Sequence, residues 1–265
     1  MSYVNENSTR PIFIEIYFND NKIGSATGFQ IHYGNTKYLV TNWHVVSGRN
    51  FITKKCISEQ QMVPNKLILK YKKYSDNEEF KWCDKTIELY DDIGKEIWYE
   101  HPKYENDVDV VLIPLEEHSQ HLDYRECFNI NSNYNLFVTE PVFVLGYPLG
   151  YIVKNKYEPH AVWTSGTVAS DPSLNLEING KEIPAFLIDS KTRKGQSGSP
   201  VIYYNSSGLD LHYKNEMGAE GFAHWGCPFM QEIGIYSGRI SKDSDLGYVW
   251  KWTIIKEILD SIKQQ

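Results

Sequence analysis

Lys194-Gly195-Gln196-Ser197-Gly198-Ser199-Pro200-Val201-Ile202 places a serine between two glycines, immediately before an apolar run. Glycine reaches backbone conformations that other residues avoid, so the chain can turn sharply here and aim main-chain amides at a bound oxygen. Ser197 is therefore a candidate nucleophile, and the amides of Gly195 and Ser197 are candidate donors to a developing oxyanion. Taken alone, the stretch also reads as a plain Gly/Ser turn leading into a strand. It acquires chemical meaning only through partners elsewhere in the chain.

Two upstream segments supply such partners. Tyr38-Leu39-Val40-Thr41-Asn42-Trp43-His44-Val45-Val46 ends an apolar strand in a polar pair and then presents His44. A histidine just beyond a buried strand is held on one side and open on the other. This suits a general base, because imidazole titrates near neutral pH. The chain has eight histidines, and only His44 stands in this frame. The other segment is Glu105-Asn106-Asp107-Val108-Asp109-Val110-Val111-Leu112. A carboxylate at the mouth of so apolar a strand can accept the Nδ1 proton of a histidine and fix its tautomer. Asp109 directly abuts the apolar run and is preferred. Asp107 shares its face by the two-residue alternation and stays open as an alternative.

The rest of the chain is broken into short runs rich in Val, Ile, Tyr, Phe and Trp, separated by Gly, Asn, Asp and Pro. Strands are expected at 12–18, 25–33, 38–41, 66–72, 80–90, 108–114, 142–145, 164–169, 185–190, 200–204, 232–236 and 247–252. So many short strands with so little helical periodicity point to an all-β sandwich or barrel. Helical spacing is clear only at the end, where Ile254, Ile255, Ile258, Leu259 and Ile262 fall on one face and Thr253 is a plausible cap. A short helical turn is also expected near His44. The polar stretch 116–135 reads as a linker between two halves, residues 1–122 and 123–265. The stretch 206–231 reads as a long surface loop.

Of the 265 residues, 41% are hydrophobic and 23% charged, ordinary values for a folded protein with a sizeable core. The net charge of -7 argues against a nucleic-acid partner, which would favour a basic excess. No run is long enough to span a membrane. Cys56, Cys83, Cys127 and Cys227 form no CxxC pair, which argues against a zinc site, and no metal is expected. The N-terminal residues lack a basic segment followed by an apolar one, so free thiols in a cytoplasmic protein are the expectation.

Together the three segments resemble the trypsin-like (chymotrypsin-fold) serine peptidase family. That family carries a histidine in a T-A-x-H-type context, an aspartate opening a D-[IVL]-x-[LV] strand and a serine in G-x-S-G-[GS]-P. Here these read Thr41-Asn42-Trp43-His44, Asp109-Val110-Val111-Leu112 and Gly195-Gln196-Ser197-Gly198-Ser199-Pro200. The order His, Asp, Ser agrees with chymotrypsin-like enzymes and is not that of α/β-hydrolases. Val144-Leu145-Gly146-Tyr147-Pro148 and Glu232-Ile233-Gly234-Ile235-Tyr236-Ser237-Gly238 extend the resemblance over most of residues 10–264. The absence of an Ile-Val-Gly-Gly segment, and Ser199 after Gly198, place the resemblance nearest bacterial glutamyl-endopeptidases and HtrA-like protease domains without a PDZ domain.

The resemblance implies two six-stranded antiparallel β-barrels with a C-terminal α-helix. His44 and Asp109 would lie in the first barrel and Ser197 in the second. It implies a serine endopeptidase that needs no cofactor, acting on a protein or peptide substrate through an acyl-enzyme. Asp189, Lys191, Tyr236, Ser237, Gly238 and Arg239 would line the substrate pocket. Lys191, with Arg239, would favour acidic residues before the cleaved bond; Asp189 would favour basic ones; a solvated loop would do neither. Standalone members also resemble effectors that cleave one dedicated partner, as in stress or antiphage systems. The contrasting reading is a latent or inactive peptidase fold that binds rather than cleaves, or one that waits for a partner protein to order 206–231.

Overall fold

The computed structural model describes residues 5–74, 80–115, 127–130, 135–155, 158–214 and 219–263. Most of the expected linker at 116–135 lies outside them. In chain order the strands are β1 (Ile12–Phe18), β2 (Asn21–Tyr33), β3 (Thr36–Thr41), β4 (Lys66–Tyr74), β5 (Phe80–Glu88), β6 (Val111–Leu115), β7 (Cys127–Phe128), β8 (Pro141–Gly146), β9 (Val153–Asn155) and β10 (Glu158–His160). They continue with β11 (Val162–Val168), β12 (Leu176–Ile178), β13 (Lys181–Ile183), β14 (Ala185–Ser190), β15 (Pro200–Asn205), β16 (Leu211–Lys214), β17 (Glu220–Ala223), β18 (Phe229–Arg239) and β19 (Leu246–Lys251). Two helices, α1 (Trp43–Ser47) and α2 (Thr253–Ile262), complete the fold.

β8, β11, β14, β19, β18 and β15 close into a six-stranded barrel. The first half forms a curled sheet in the order β5-β4-β1-β2-β3-β6, with β7 added in parallel to β2. The fold is thus chymotrypsin-like, but the first barrel is a half-barrel: β5 and β6 end the pairing order without pairing to each other.

The register of the first sheet decides what stands at its rim. β3 pairs antiparallel with β6, Thr41 opposite Val111. The residues after Thr41 and those before Val111 therefore leave the sheet at the same edge, and these are the segments carrying His44 and Asp109. Val40, Val110, Val111 and Leu112 are fully buried, which anchors both exits.

α2 packs on the first half, although it follows the second barrel in sequence. Ile254, Ile255, Ile258 and Leu259 join the core that contains Phe29 and Leu39. Trp252 stacks on Phe29 with ring centres 5.3 Å apart. Each fully buried isoleucine contributes on the order of 1.5–3 kcal/mol. The expected cap differs: Trp252, not Thr253, precedes the first helical residue, and no side chain caps the helix.

Candidate active site

His44 sits in the first turn of α1, entered through Asn42 in an extended conformation and closed by Gly48, whose φ of 65° ends the helix in the left-handed region. Its imidazole Nδ1 lies 2.7 Å from Asp109 Oδ2. Its main-chain N–H donates to Asp109 Oδ1, also at 2.7 Å. Both carboxylate oxygens are thus occupied by one residue, which fixes the ring's position and orientation. Asn42 Nδ2 donates to the Asp109 carbonyl at 2.7 Å and ties the two loops together. Asp109 is fully buried, whereas the His44 side chain keeps 19% exposure. A buried carboxylate with such donors holds Nδ1 protonated and leaves Nε2 as the acceptor.

Asp107, the alternative, goes elsewhere. It accepts from Lys54 at 3.0 Å and Lys181 at 2.5 Å, and these lysines, Lys181 foremost, hold its carboxyl below the usual range. It links the first half to the β12–β13 hairpin.

Ser197 lies in the turn before β15. Gly195 and Gly198 both have positive φ, 95° and 82°, as the sequence leads one to expect. The turn is braced from two sides. Ser197 O accepts from Thr27 N at 2.8 Å on β2, and Gly198 N donates to Tyr236 O at 2.9 Å on β18. Among the described residues, the amides of Gly195 and Ser197 donate to no protein acceptor.

Ser237 joins the two parts of the site. The β18–β19 register runs Tyr236 opposite Val249 and then Gly238 opposite Tyr248, so Ser237 is the extra residue of a β-bulge. Bulges re-aim side chains, and this one turns Ser237 toward the rim. Its hydroxyl donates to Asp109 Oδ2. Its carbonyl accepts the Ser197 hydroxyl at 3.0 Å. The structure therefore brings His44, Asp109, Ser197 and Ser237 together, with the Ser197 hydroxyl resting on Ser237 and not on His44. The sequence marked Ser237 only as a pocket residue; nothing in a single serine within an apolar strand announces a bulge.

The remaining pocket candidates differ in exposure. Asp189 and Lys191 are exposed, whereas Tyr236 is buried. Gly238 and Arg239 are half-buried at the end of β18. The buried polar contact nearby is neutral: Thr192 Oγ1 hydrogen-bonds the Tyr236 hydroxyl. Burial pushes that phenol up to about 12. Thr192 was not singled out from sequence. Among the described residues no cluster of His, Cys, Asp and Glu could hold a metal ion.

The family profile described as trypsin-like peptidase domain matches residues 26–208. The chain belongs to that family, and its class is the serine-type peptidases. No curated protein matches it in sequence. Among solved structures it is similar to the serine endoprotease from Yersinia pestis, with TM-score 0.50 and 12% identity over 100% of this chain and 69% of that one. It is also similar to the Rv3671c protease from M. tuberculosis in its active form, with TM-score 0.48 and 18% identity over 96% of this chain and 81% of that one. At such identities the likeness to the Yersinia enzyme concerns the fold alone. No helix among the described residues is long and apolar enough to cross a membrane.

Proposed function

We propose that the chain is a serine endopeptidase in which Ser197 is the nucleophile, His44 the general base and Asp109 the group that orients and stabilises the imidazole. In this reading residues 1–122 carry His44 and Asp109, and residues 123–265 carry Ser197. The observation that carries it is the doubly bonded His44–Asp109 pair, joined through Ser237 to the Ser197 hydroxyl.

The Ser197 hydroxyl turns from Ser237 O to His44 Nε2. Oγ attacks the scissile carbonyl carbon as its proton passes to Nε2, and the carbonyl electron pair moves onto oxygen. The amides of Gly195 and Ser197 receive that oxyanion. Collapse breaks the C–N bond, and the imidazolium gives its proton to the leaving amine. Water then repeats the attack on the acyl-enzyme, with His44 taking its proton and returning one to Ser197. The reading requires no metal or organic cofactor.

The substrate is a protein or peptide, and we place the activity in the cytoplasm on one dedicated protein. The four free cysteines suit a reducing compartment. A fluorophosphonate probe should label wild type at Ser197. A Ser197→Ala variant should escape labelling and lose roughly 10⁶-fold in kcat on a cleaved peptide. The same variant, used as bait, should retain an uncleaved substrate. A second reading, a latent enzyme activated by a partner, is favoured by the resting hydrogen bond from Ser197 to Ser237 O. It predicts slow labelling of the isolated chain that rises when the partner is added.

A further inference from the structure

On the side of the Ser197 loop away from β18, the chain makes a tight turn from Tyr147 to Tyr151. Leu149 within it has φ 55°, in the left-handed region that residues with a Cβ avoid. Its side chain is 62% exposed, so packing does not hold it there. Main-chain bonds do. Gly150 N donates to Tyr147 O at 3.0 Å and Tyr151 N to Pro148 O at 2.9 Å, closing the turn. The Leu149 amide instead leaves the turn and donates to Lys194 O at 2.6 Å.

That carbonyl belongs to the peptide group whose N–H is Gly195. In a trans peptide the C=O and N–H point in opposite directions. Fixing Lys194 O on Leu149 therefore turns the Gly195 N–H away from the 147–151 turn. The two segments lie in close contact: a Cβ on Gly195 would overlap Tyr147 O and stand 3.2 Å from Leu149 N. Thr27 secures the following peptide as well. Its hydroxyl accepts from Tyr147 N at 3.2 Å and donates to Gly195 O at 2.8 Å. Both carbonyls flanking Gly195 are thus engaged, and its amide is left available.

We propose that Leu149 is a positioning residue for the oxyanion hole: its left-handed amide holds the Lys194–Gly195 peptide in the orientation that offers the Gly195 N–H to the substrate's carbonyl oxygen. Without that bond the peptide is free to turn and present Lys194 O, an acceptor, where a donor is needed. The inference rests on the peptidase reading and adds to it a residue outside the Ser197 loop. The leucine side chain takes no part.

The test removes the Leu149 N–H, and leaves the Pro148 carbonyl in place as a weaker acceptor for Tyr151 N. Replacing Leu149 by its α-hydroxy acid turns that peptide bond into an ester and keeps the side chain. Loss of one oxyanion donor costs about 10²-fold or more in kcat, so the ester form should fall by roughly that factor with KM little changed. A peptide-aldehyde inhibitor should weaken in parallel, and the melting temperature should hold. Leu149→Gly keeps the amide and relieves the backbone, so its kcat should fall far less than that of the ester form. A merely structural role would move melting temperature and KM in place of kcat. Wild-type kcat in the ester form overturns the proposal, as does an equal loss in Leu149→Gly. The Gly195 amide resonance, followed by ¹⁵N NMR, gives a readout independent of turnover: it should shift in the ester form, and an unmoved resonance also overturns the proposal. A wild-type chain without turnover sinks the peptidase reading, and the Gly195 resonance then decides this one.

Discussion

Asp109→Asn probes the electrostatics of the site while leaving its shape intact. Asp109 Oδ1 accepts the main-chain N–H of His44 at 2.7 Å, and a main-chain N–H cannot become an acceptor. The carboxamide oxygen of an asparagine must therefore take the Oδ1 place. Its NH₂ then falls where Oδ2 now receives His44 Nδ1 and the Ser237 hydroxyl. Facing a donor, the imidazole has to carry its proton on Nε2, and in that tautomer it cannot take the proton of Ser197. On the peptidase reading, such an inversion costs about 10⁴-fold in kcat. That corresponds to roughly 5 kcal/mol of lost transition-state stabilisation. The fold should survive, because the substitution removes a charge from a fully buried position and keeps the volume. The assay is kcat and KM on a fluorogenic peptide, read beside ¹⁵N NMR of the His44 ring. Retention of more than a tenth of the wild-type kcat, or a ring still protonated at Nδ1, would refute the reasoning.

Two further expectations concern stability. Glu232 is buried on β18, where its carboxylate accepts Asn129 N at 3.0 Å, and burial pushes its pKa above the usual glutamate range. A carboxyl raised in the folded state favours folding below its unfolded value, and that advantage is lost as pH rises through the folded value. Glu232→Gln keeps an acceptor for Asn129 and cannot ionise. It should match wild type near pH 4 and melt higher at pH 8, by about 1.4 kcal/mol for each unit by which burial raises the acid; a variant less stable at pH 8 than at pH 4, relative to wild type, contradicts this. Gly198→Ala should destabilise strongly, because φ is 82° and the new Cβ would overlap Thr27 O and lie 2.5 Å from Thr41 Oγ1. A loss of about 3 kcal/mol lowers the melting temperature of a chain this size by roughly 6–12 °C; a shift under 2 °C in calorimetry counts against the packing argument.

What was legible in the sequence follows from length and burial. β1 and β14 agree residue for residue with the expected segments, and α2 agrees apart from its cap; each shows a long apolar signal against a polar background. β7, β9, β10, β12, β13, β16 and β17 were missed, and 206–231 was expected to be loop. Strands of two to four residues carry too few alternations to stand out, and the β16–β17 hairpin exposes Tyr213 and Phe222 instead of burying them. β6 begins at Val111, not Val108, because Val108 and Asp109 belong to the buried loop that reaches His44. The pairing of His44 with Asp109 was legible because strand exits are written locally. The contact of Ser237 with Asp109 and the left-handed Leu149 were not: a bulge and a left-handed leucine are imposed by strands that pair from far away in sequence.

The serine loop has bonds of its own, from Gln196 N to Arg193 O, Ser199 N to Gln196 O and Arg193 N to Gln196 Oε1, but the carbonyls of Gly195 and Ser197 are held from outside. Thr27 N holds Ser197 O and Thr27 Oγ1 holds Gly195 O, each at 2.8 Å, while Thr41 Oγ1 holds Thr27 O at 3.0 Å. Both threonines are fully buried on β2 and β3. β3 also leads to His44 and, through its pairing with β6, to Asp109. One strand pair therefore references all three groups, although Ser197 belongs to a different sheet. A rigid shift between the sheets would have to break several buried hydrogen bonds, each worth about 1 kcal/mol, before it misaligned the loop. What remains adjustable is the Ser197 side chain, whose hydroxyl rests 3.0 Å from Ser237 O. On the peptidase reading, turning it toward His44 exchanges one acceptor for another. On the peptidase reading, a substrate amide that takes Ser237 O displaces that hydroxyl, so the nucleophile aligns when there is something to cleave.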